Sequence, residues 1–155
     1  MIDTWRVRAV AATGDARQAA RLLQQAETEF EAAMVGDDNP SWAYWMCRPS
    51  HMAETGRAFL DLGDPAAEEL LRGGLAALEP GAIRDRVLYL TWIATAQARR
   101  HDLDAATHTA GTALDTAAAI ESGRCARLLG ELAAELTPHR AYRPVSSVID
   151  RISNH

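Results

Sequence analysis

The sequence predicts an all-α fold, built as a stack of antiparallel helical hairpins. Three observations predict it: 31 of the 155 residues are alanine, a helix-spaced stripe of small residues follows three polar turns, and few residues are aromatic. Alanine has the highest helix propensity and lets neighbouring helices approach closely, whereas sheets favour aromatic and β-branched side chains. A chain of this length can bury one sizeable core, so we expect a single domain over residues 1–155.

The hairpins are indicated by an internal repeat. Each unit turns at a polar dipeptide, and three small or apolar residues follow at the i, i+4, i+7 spacing of one helix face. After Gly14-Asp15 they are Ala19, Leu23 and Ala26; after Gly63-Asp64 they are Ala67, Leu71 and Gly74; after His101-Asp102 they are Ala106, Ala110 and Ala113. The predicted repeats cover about residues 2–35, 49–78 and 82–120, and capping helices cover 122–152.

Start and stop residues set the individual helices. Asp15 and Asp64 are suitable N-caps, because their carboxylates accept hydrogen bonds from the first turn. Pro49 and Pro65 suit a first helical turn, and Pro80 interrupts a helix. Residues 37–40 form the clearest loop. The predicted helices span residues 2–13, 15–35, 49–62, 65–78, 82–100, 103–120, 122–136 and 145–152.

Charge and cysteine content restrict the expected partners and compartment. The net charge is -5, and the sixteen cationic side chains are all arginine. A net acidic domain lacks the clustered cations that give affinity for phosphates, so we expect no direct nucleic-acid binding. No apolar run is long enough for a membrane span or a secretory signal, which predicts a cytoplasmic protein without a membrane partner. Cys47 and Cys125 form no CxxC motif and are expected to be reduced.

The repeated helix, Gly-Asp turn and helix resembles the tetratricopeptide repeat over about residues 2–117. Four segments are similar to the C-terminal sensor half of actinobacterial helix-turn-helix (XRE-type) transcriptional regulators: Trp42-Ala43-Tyr44-Trp45, residues 54–56 (ETG) with 62–63 (LG), residues 84–90 (RDRVLYL) and residues 136–140 (LTPHR). This resemblance implies a right-handed stack of hairpins in a non-enzymatic ligand-sensing, peptide-sensing or protein-interaction module. In that family a DNA-binding domain precedes the repeats, whereas this sequence opens on a predicted repeat helix. We therefore expect either the sensor half of such a regulator or a protein that has the repeats without the DNA-binding domain.

The resemblance also implies where a ligand binds, since the first helix of each hairpin lines the concave face of such arrays. Arg8 and Arg57 occupy equivalent places, six residues before their turns, and paired guanidinium groups can fork onto a carboxylate or phosphate. The expected partner is a peptide, a small anionic ligand or a protein, with a homodimer as a further state. Alternatively, the arginines only solvate the helix face or pair with acidic neighbours. The expected ligand-binding residues are Arg8, Arg57, Asp61, Thr91, Thr95 and Arg99.

A second candidate site is aromatic. Its side chains either line a ligand pocket or fill gaps between helices. His51 with Glu54, one turn apart, is the best pair for a general base and its orienting carboxylate. The chain has no HExxH, GxSxG, phosphate-loop or CxxC motif, so we predict no catalytic residue, metal or cofactor. The alternative function is a small enzyme or accessory protein of a biosynthetic pathway, with a pocket near His51, Glu54 and Trp45. The aromatic pocket set is Trp42, Tyr44, Trp45, His51, Tyr89 and Trp92.

Overall fold

The computed structural model describes residues 6, 7, 9, 10, 13, 15–35 and 48–154 of the chain. These residues form helices, turns and short connections and no strand, which confirms the all-α prediction. The chain divides into two compact units, Met1–Ala77 and Leu78–His155. The helices are α1 (Ala16–Val35), α2 (Arg48–Leu62), α3 (Ala67–Ala76), α4 (Ile83–Arg99), α5 (Leu103–Ala117), α6 (Gly123–Leu136) and α7 (Arg143–Ser153), with a 3-10 turn at Thr137–His139.

The seven predicted helices from residue 15 onward agree with the observed ones to within about three residues at each end, whereas most of the predicted helix 2–13 lies outside the described residues. Asp15 caps α1 as expected, because its carboxylate accepts a hydrogen bond from the Gln18 amide at 2.9 Å. Asp64 does not cap α3 directly: its carboxylate accepts from the Ala66 amide at 2.8 Å. This hydrogen bond closes an Asx turn, so α3 starts two residues later than predicted. In the described part of the chain, no helix is long and apolar enough to cross a membrane.

In the first unit, α2 and α3 form a closely packed antiparallel hairpin. Its contact surface contains Gly56 and Leu71, which are both buried. A Cβ atom built on Gly56 would lie 2.8 Å from Leu71 Cγ and 3.0 Å from the Leu71 backbone nitrogen. One turn further along, a Cβ on Gly74 would lie 3.0 Å from the Pro49 carbonyl oxygen. The two glycines therefore set the close separation of the helices.

In the second unit, the α4/α5 hairpin packs against α6 and α7. Helix α4 contacts α6, α5 contacts α7, and α6 and α7 contact each other. Leu129, Leu132 and Leu136 lie one turn apart on α6 and are fully buried, as is Ile93 on α4. Cys125 is buried and reduced, as the sequence predicts. Apolar stripes at helical spacing thus build this core.

The turns between α2 and α3 and between α4 and α5 have the same backbone hydrogen bonds. The amides of Gly63 and His101 donate to carbonyls three residues back, at 3.1 and 2.9 Å. The amides of Asp64 and Asp102 donate to carbonyls five residues back, at 2.9 and 3.0 Å. Both turns are Schellman motifs, which need one left-handed residue. Gly63 supplies it with φ of 72°, and His101 with φ of 61°.

We expect the His101→Gly variant to be more stable than the natural chain by about 0.5–1 kcal/mol, because only glycine adopts the left-handed region without a steric cost. Urea unfolding followed by far-UV circular dichroism measures the difference. The matched control is His101→Ala, which keeps the unfavourable φ and should be no more stable than the natural chain. Equal stability of the glycine and alanine variants would contradict this explanation.

Candidate functional site

Arg57 and Asp61 lie one turn apart on α2 and form an ion pair, with 3.2 Å between Arg57 Nη2 and Asp61 Oδ1. Their side chains are only 16% and 20% exposed. This pairing is the alternative that the sequence left open beside ligand binding. Water and dissolved ions screen a partly buried ion pair less than one at the surface. Asp61 therefore holds the Arg57 guanidinium in place more firmly than an exposed carboxylate would.

Thr91 and Thr95 of α4 do not offer their hydroxyl groups to a ligand. Both side chains are buried, and their hydroxyls donate to the carbonyls of Val87 and Thr91 at 2.8 and 2.9 Å. Every residue from Val87 to Ala98 is buried. Counting back from a turn assigns residues to one helix face, but it does not show what covers that face.

Arg99, at the end of α4, is exposed and binds Glu135 of α6 through two hydrogen bonds. Its Nε donates to Oε1 at 3.2 Å and its Nη2 donates to Oε2 at 3.1 Å. This forked geometry is the arrangement in which arginine binds a carboxylate most specifically. Arg99 therefore joins two helices of the second unit. Arg8, the remaining member of the predicted set, lies outside the described residues.

His51 is paired with Glu27 of α1, rather than with Glu54 on its own helix. Its Nε2 lies 2.6 Å from Glu27 Oε2, and its ring stacks on Phe30 with centroids 4.1 Å apart and planes 6° apart. Glu27 and Phe30 are three residues apart and therefore share a face of α1. That spacing could have shown that Glu27 and Phe30 lie together, but nothing in the sequence indicated that this face of α1 contacts His51.

The Glu27–His51 pair has the form of an imidazole oriented by a carboxylate, as in general base catalysis. The His51 side chain is 12% exposed and that of Glu27 is 48% exposed. No hydroxyl or thiol among the described residues is hydrogen-bonded to His51, so this part of the chain adds no nucleophile to the pair. By this geometry the pair can move a proton or position a polar ligand.

Two members of the aromatic set fill the core, which is one of the two alternatives that the sequence left open. Tyr89 and Trp92 are buried on α4, and their rings stack with centroids 5.8 Å apart. They share a face, as their spacing predicts, and fill the core. Trp42, Tyr44 and Trp45 lie outside the described residues.

A cluster at one end of the second unit was missed by the sequence analysis. Tyr142, the N-cap residue of α7, donates its hydroxyl proton to Asp104 Oδ1 of α5 at 2.5 Å. Nearby in the chain, His139 contacts His101 edge to face. Contacts between residues 38 positions apart in sequence leave no local pattern, which is why the sequence does not predict them.

The pKa of Tyr142 is raised above 10.0, first by its hydrogen bond to Asp104, then by partial desolvation and by the Asp104 charge. The stabilisation from this bond is therefore present below pH 10 and is lost as the pH rises through the raised pKa. The chain has no lysine, and arginine stays protonated in this range, so the cationic side chains keep their charge while Tyr142 titrates.

Absorbance at 295 nm, recorded for the natural chain and for Tyr142→Phe, should give a difference titration with its midpoint above pH 10. In Asp104→Asn the midpoint should fall. A difference midpoint at or below 10 would contradict this cause.

Two open clefts also occur in the second unit. One of about 490 Å³ lies between α5 and α7, where Arg151 crosses it to bind Asp115 at 2.6 Å. In the described part of the chain, no group of three or more His, Cys, Asp or Glu side chains is placed to hold a metal ion.

No protein-family model, curated protein or solved structure matches the chain. Its function is therefore to be inferred from its own residues and their geometry.

Proposed function

We propose that this chain is a non-enzymatic interaction module of a regulatory protein, in which stacked helical hairpins bind a peptide, a small anionic ligand or a partner protein. The observation that carries the proposal is the pair of identical turns at Gly63-Asp64 and His101-Asp102. Identical turns give hairpins of the same geometry, and chains built from repeated hairpins provide extended binding surfaces.

The packing of the second unit supports this proposal. Helices α4 and α6 contact each other, and so do α5 and α7. Contacts of first helix with first helix and of second with second support the proposal that these hairpins stack as a repeat array of the tetratricopeptide type. A small rotation between such pairs is a movement that a ligand can select, provided that it binds one arrangement more tightly than the other.

Within this proposal, Arg57 is the residue that recognises an anion. Its guanidinium group is half-buried beside Asp61, so an incoming carboxylate or phosphate would compete with Asp61 for it. Removing the competing charge in Asp61→Asn should therefore strengthen binding of an anionic ligand, while Arg57→Gln should weaken it. Both changes alter one charge and leave the helix contacts of α2 in place.

Native mass spectrometry of the chain purified from its own host tests the proposal. A retained peptide or anionic metabolite, released on denaturation and lost in Arg57→Gln, is the expected result. The matched control is Arg72→Gln: Arg72 forms a 2.8 Å pair with Glu68 one turn away, but it is 56% exposed. A chain recovered empty and monomeric, or a ligand retained equally in both arginine variants, would contradict the proposal. An empty dimer would instead indicate a scaffold that binds its own copy.

A small enzyme or accessory protein is the second candidate, and the Glu27–His51 pair favours it. If His51 is a general base, His51→Gln should abolish turnover of the ligand recovered from the host while leaving its binding intact. If the chain is an interaction module, the ligand should be recovered chemically unchanged from both proteins. The mass of the released molecule therefore distinguishes the two functions.

A further inference from the structure

Two histidine rings meet where α4 and α6 end. His101 follows the last turn of α4 and is exposed, and His139 follows α6 in the 3-10 turn and is half-buried. Their ring centroids are 5.4 Å apart and their planes are 86° apart. The function proposed above uses neither ring. This pair is the cluster from which we argue.

The backbone of His101 is unfavourable for a histidine. The equivalent turn between α2 and α3 has Gly63, whereas His101 adopts a φ of 61°. A residue with a Cβ is sterically disfavoured in this region. Such strained residues cluster at functional sites, where the side chain gives something that glycine cannot. Here the side chain gives an imidazole beside a second imidazole.

The spacing of the rings fits two ligands of one tetrahedral ion. With Zn–N distances of about 2.0–2.1 Å, each ring centroid lies about 3.2 Å from the metal, and two centroids at the tetrahedral angle are about 5.2 Å apart. The observed separation is 5.4 Å. The terminal torsion of histidine is broad, so rotation about it changes where the ring nitrogens point while the ring centroids stay close to their positions.

We propose that His101 and His139 form a two-imidazole site for a divalent transition-metal ion, of which Zn²⁺ is the test case, with water in the remaining positions. Neutral imidazole is a preferred ligand of Zn²⁺, Ni²⁺ and Cu²⁺. The ion would lie near the C-terminal ends of α4 and α6, where the helix dipoles favour positive charge.

The surrounding contacts hold the pair in place. The His101 amide donates to the Ala98 carbonyl at 2.9 Å, and the His139 carbonyl accepts from the Tyr142 amide at 2.9 Å. Arg99 and Glu135 join α4 to α6 close to both histidines. These contacts fix the backbone positions of the two histidines, and with them the separation of the rings.

The charges near the pair also permit a cation. Arg99 is paired with Glu135, and Arg140 is paired with Asp150 at 2.7 Å. These two guanidinium groups are therefore neutralised by carboxylates that remain in contact with them. Two of the cationic side chains close to the rings in the chain are thus compensated.

Isothermal titration of the full chain, without a histidine tag, by zinc chloride tests the site. We expect one ion per chain, and affinity at least about tenfold weaker in His101→Gly and in His139→Gln. His108→Gln is the matched control, because His108 is an exposed histidine on α5 with no place in the pair; its affinity should be unchanged. Absence of binding to the natural chain, or equal affinity in the natural chain and both pair variants, would overturn the proposal.

Thermal unfolding provides a second readout that separates metal binding from folding. Without metal, His101→Gly should melt higher than the natural chain, because the strained φ is relieved. The same concentration of Zn²⁺ should raise the melting temperature of the natural chain more than that of His101→Gly, because stabilisation by a bound ion grows with the affinity of the folded site. An equal increase in both proteins would show that the ion binds elsewhere.

Discussion

Replacing Gly56 by valine is expected to lower the free energy of unfolding of the α2/α3 hairpin more than any other single change in the first unit. A Cβ atom at this position lies 2.8 Å from Leu71 Cγ and 3.0 Å from the Leu71 backbone nitrogen, and a backbone atom cannot rotate away. Overpacking of this kind costs about 1–3 kcal/mol, and the β-branched side chain adds contacts on the same face. We expect a loss of about 3 kcal/mol in urea unfolding.

Two other glycines provide the controls for this prediction. A Cβ on Gly73 would meet only the flexible end of Met52, and a Cβ on Gly130 of α6 would meet nothing within 4 Å. Since alanine is a better helix former than glycine by about 1 kcal/mol, Gly130→Ala should be stabilising and Gly73→Ala close to neutral. Destabilisation of all three variants by similar amounts would show that contact with Leu71 is not the cause.

Truncating Leu132 to alanine is expected to cost about 2–5 kcal/mol, the largest effect in the second unit. Its side chain is 1% exposed on α6, with Leu129 and Leu136 one turn to either side. The cost has two parts. The alanine variant buries less apolar area on folding, and a cavity is left that the alanine-rich neighbours cannot fill.

Leu132→Met is the matched control, because it conserves the volume and should cost less than about 1.5 kcal/mol. Denaturant unfolding by far-UV circular dichroism gives the two free energies. Hydrogen exchange localises the change, which should appear in the amides of residues 83–153. A loss below 1 kcal/mol for Leu132→Ala, or equal losses for the two variants, would mean that this position is not closely packed.

The helices were predictable because their signals are local. The stripe of Ala106, Ala110 and Ala113 and the cap at Asp15 each depend on residues within a few positions of each other, and the structure has helices at both. The α3 start was missed because the Asp64 carboxylate bonds to Ala66, a choice between two neighbouring amides that the sequence does not distinguish.

The candidate sites were harder to predict because they depend on contacts between distant segments. His51 binds Glu27, 24 residues away, instead of Glu54, and Arg99 binds Glu135, 36 residues away. The partner in each case is set by which helices pack together, and a helix period contains no information about that. The burial of Thr91 and Thr95 was missed for the same reason.

Beside the apolar core of the second unit, three polar contacts at its surface also join its helix pairs: Arg99 with Glu135, Arg151 with Asp115, and Tyr142 with Asp104. Exposed ion pairs weaken when dissolved ions screen them, over a length of about 10 Å at 0.1 M salt, whereas burial of leucine and alanine does not weaken. Ionic strength thus acts on the contacts that align the helix pairs, while the apolar core between them is unaffected by this screening. The stiffness of this unit is accordingly a property of the solution as well as of the chain.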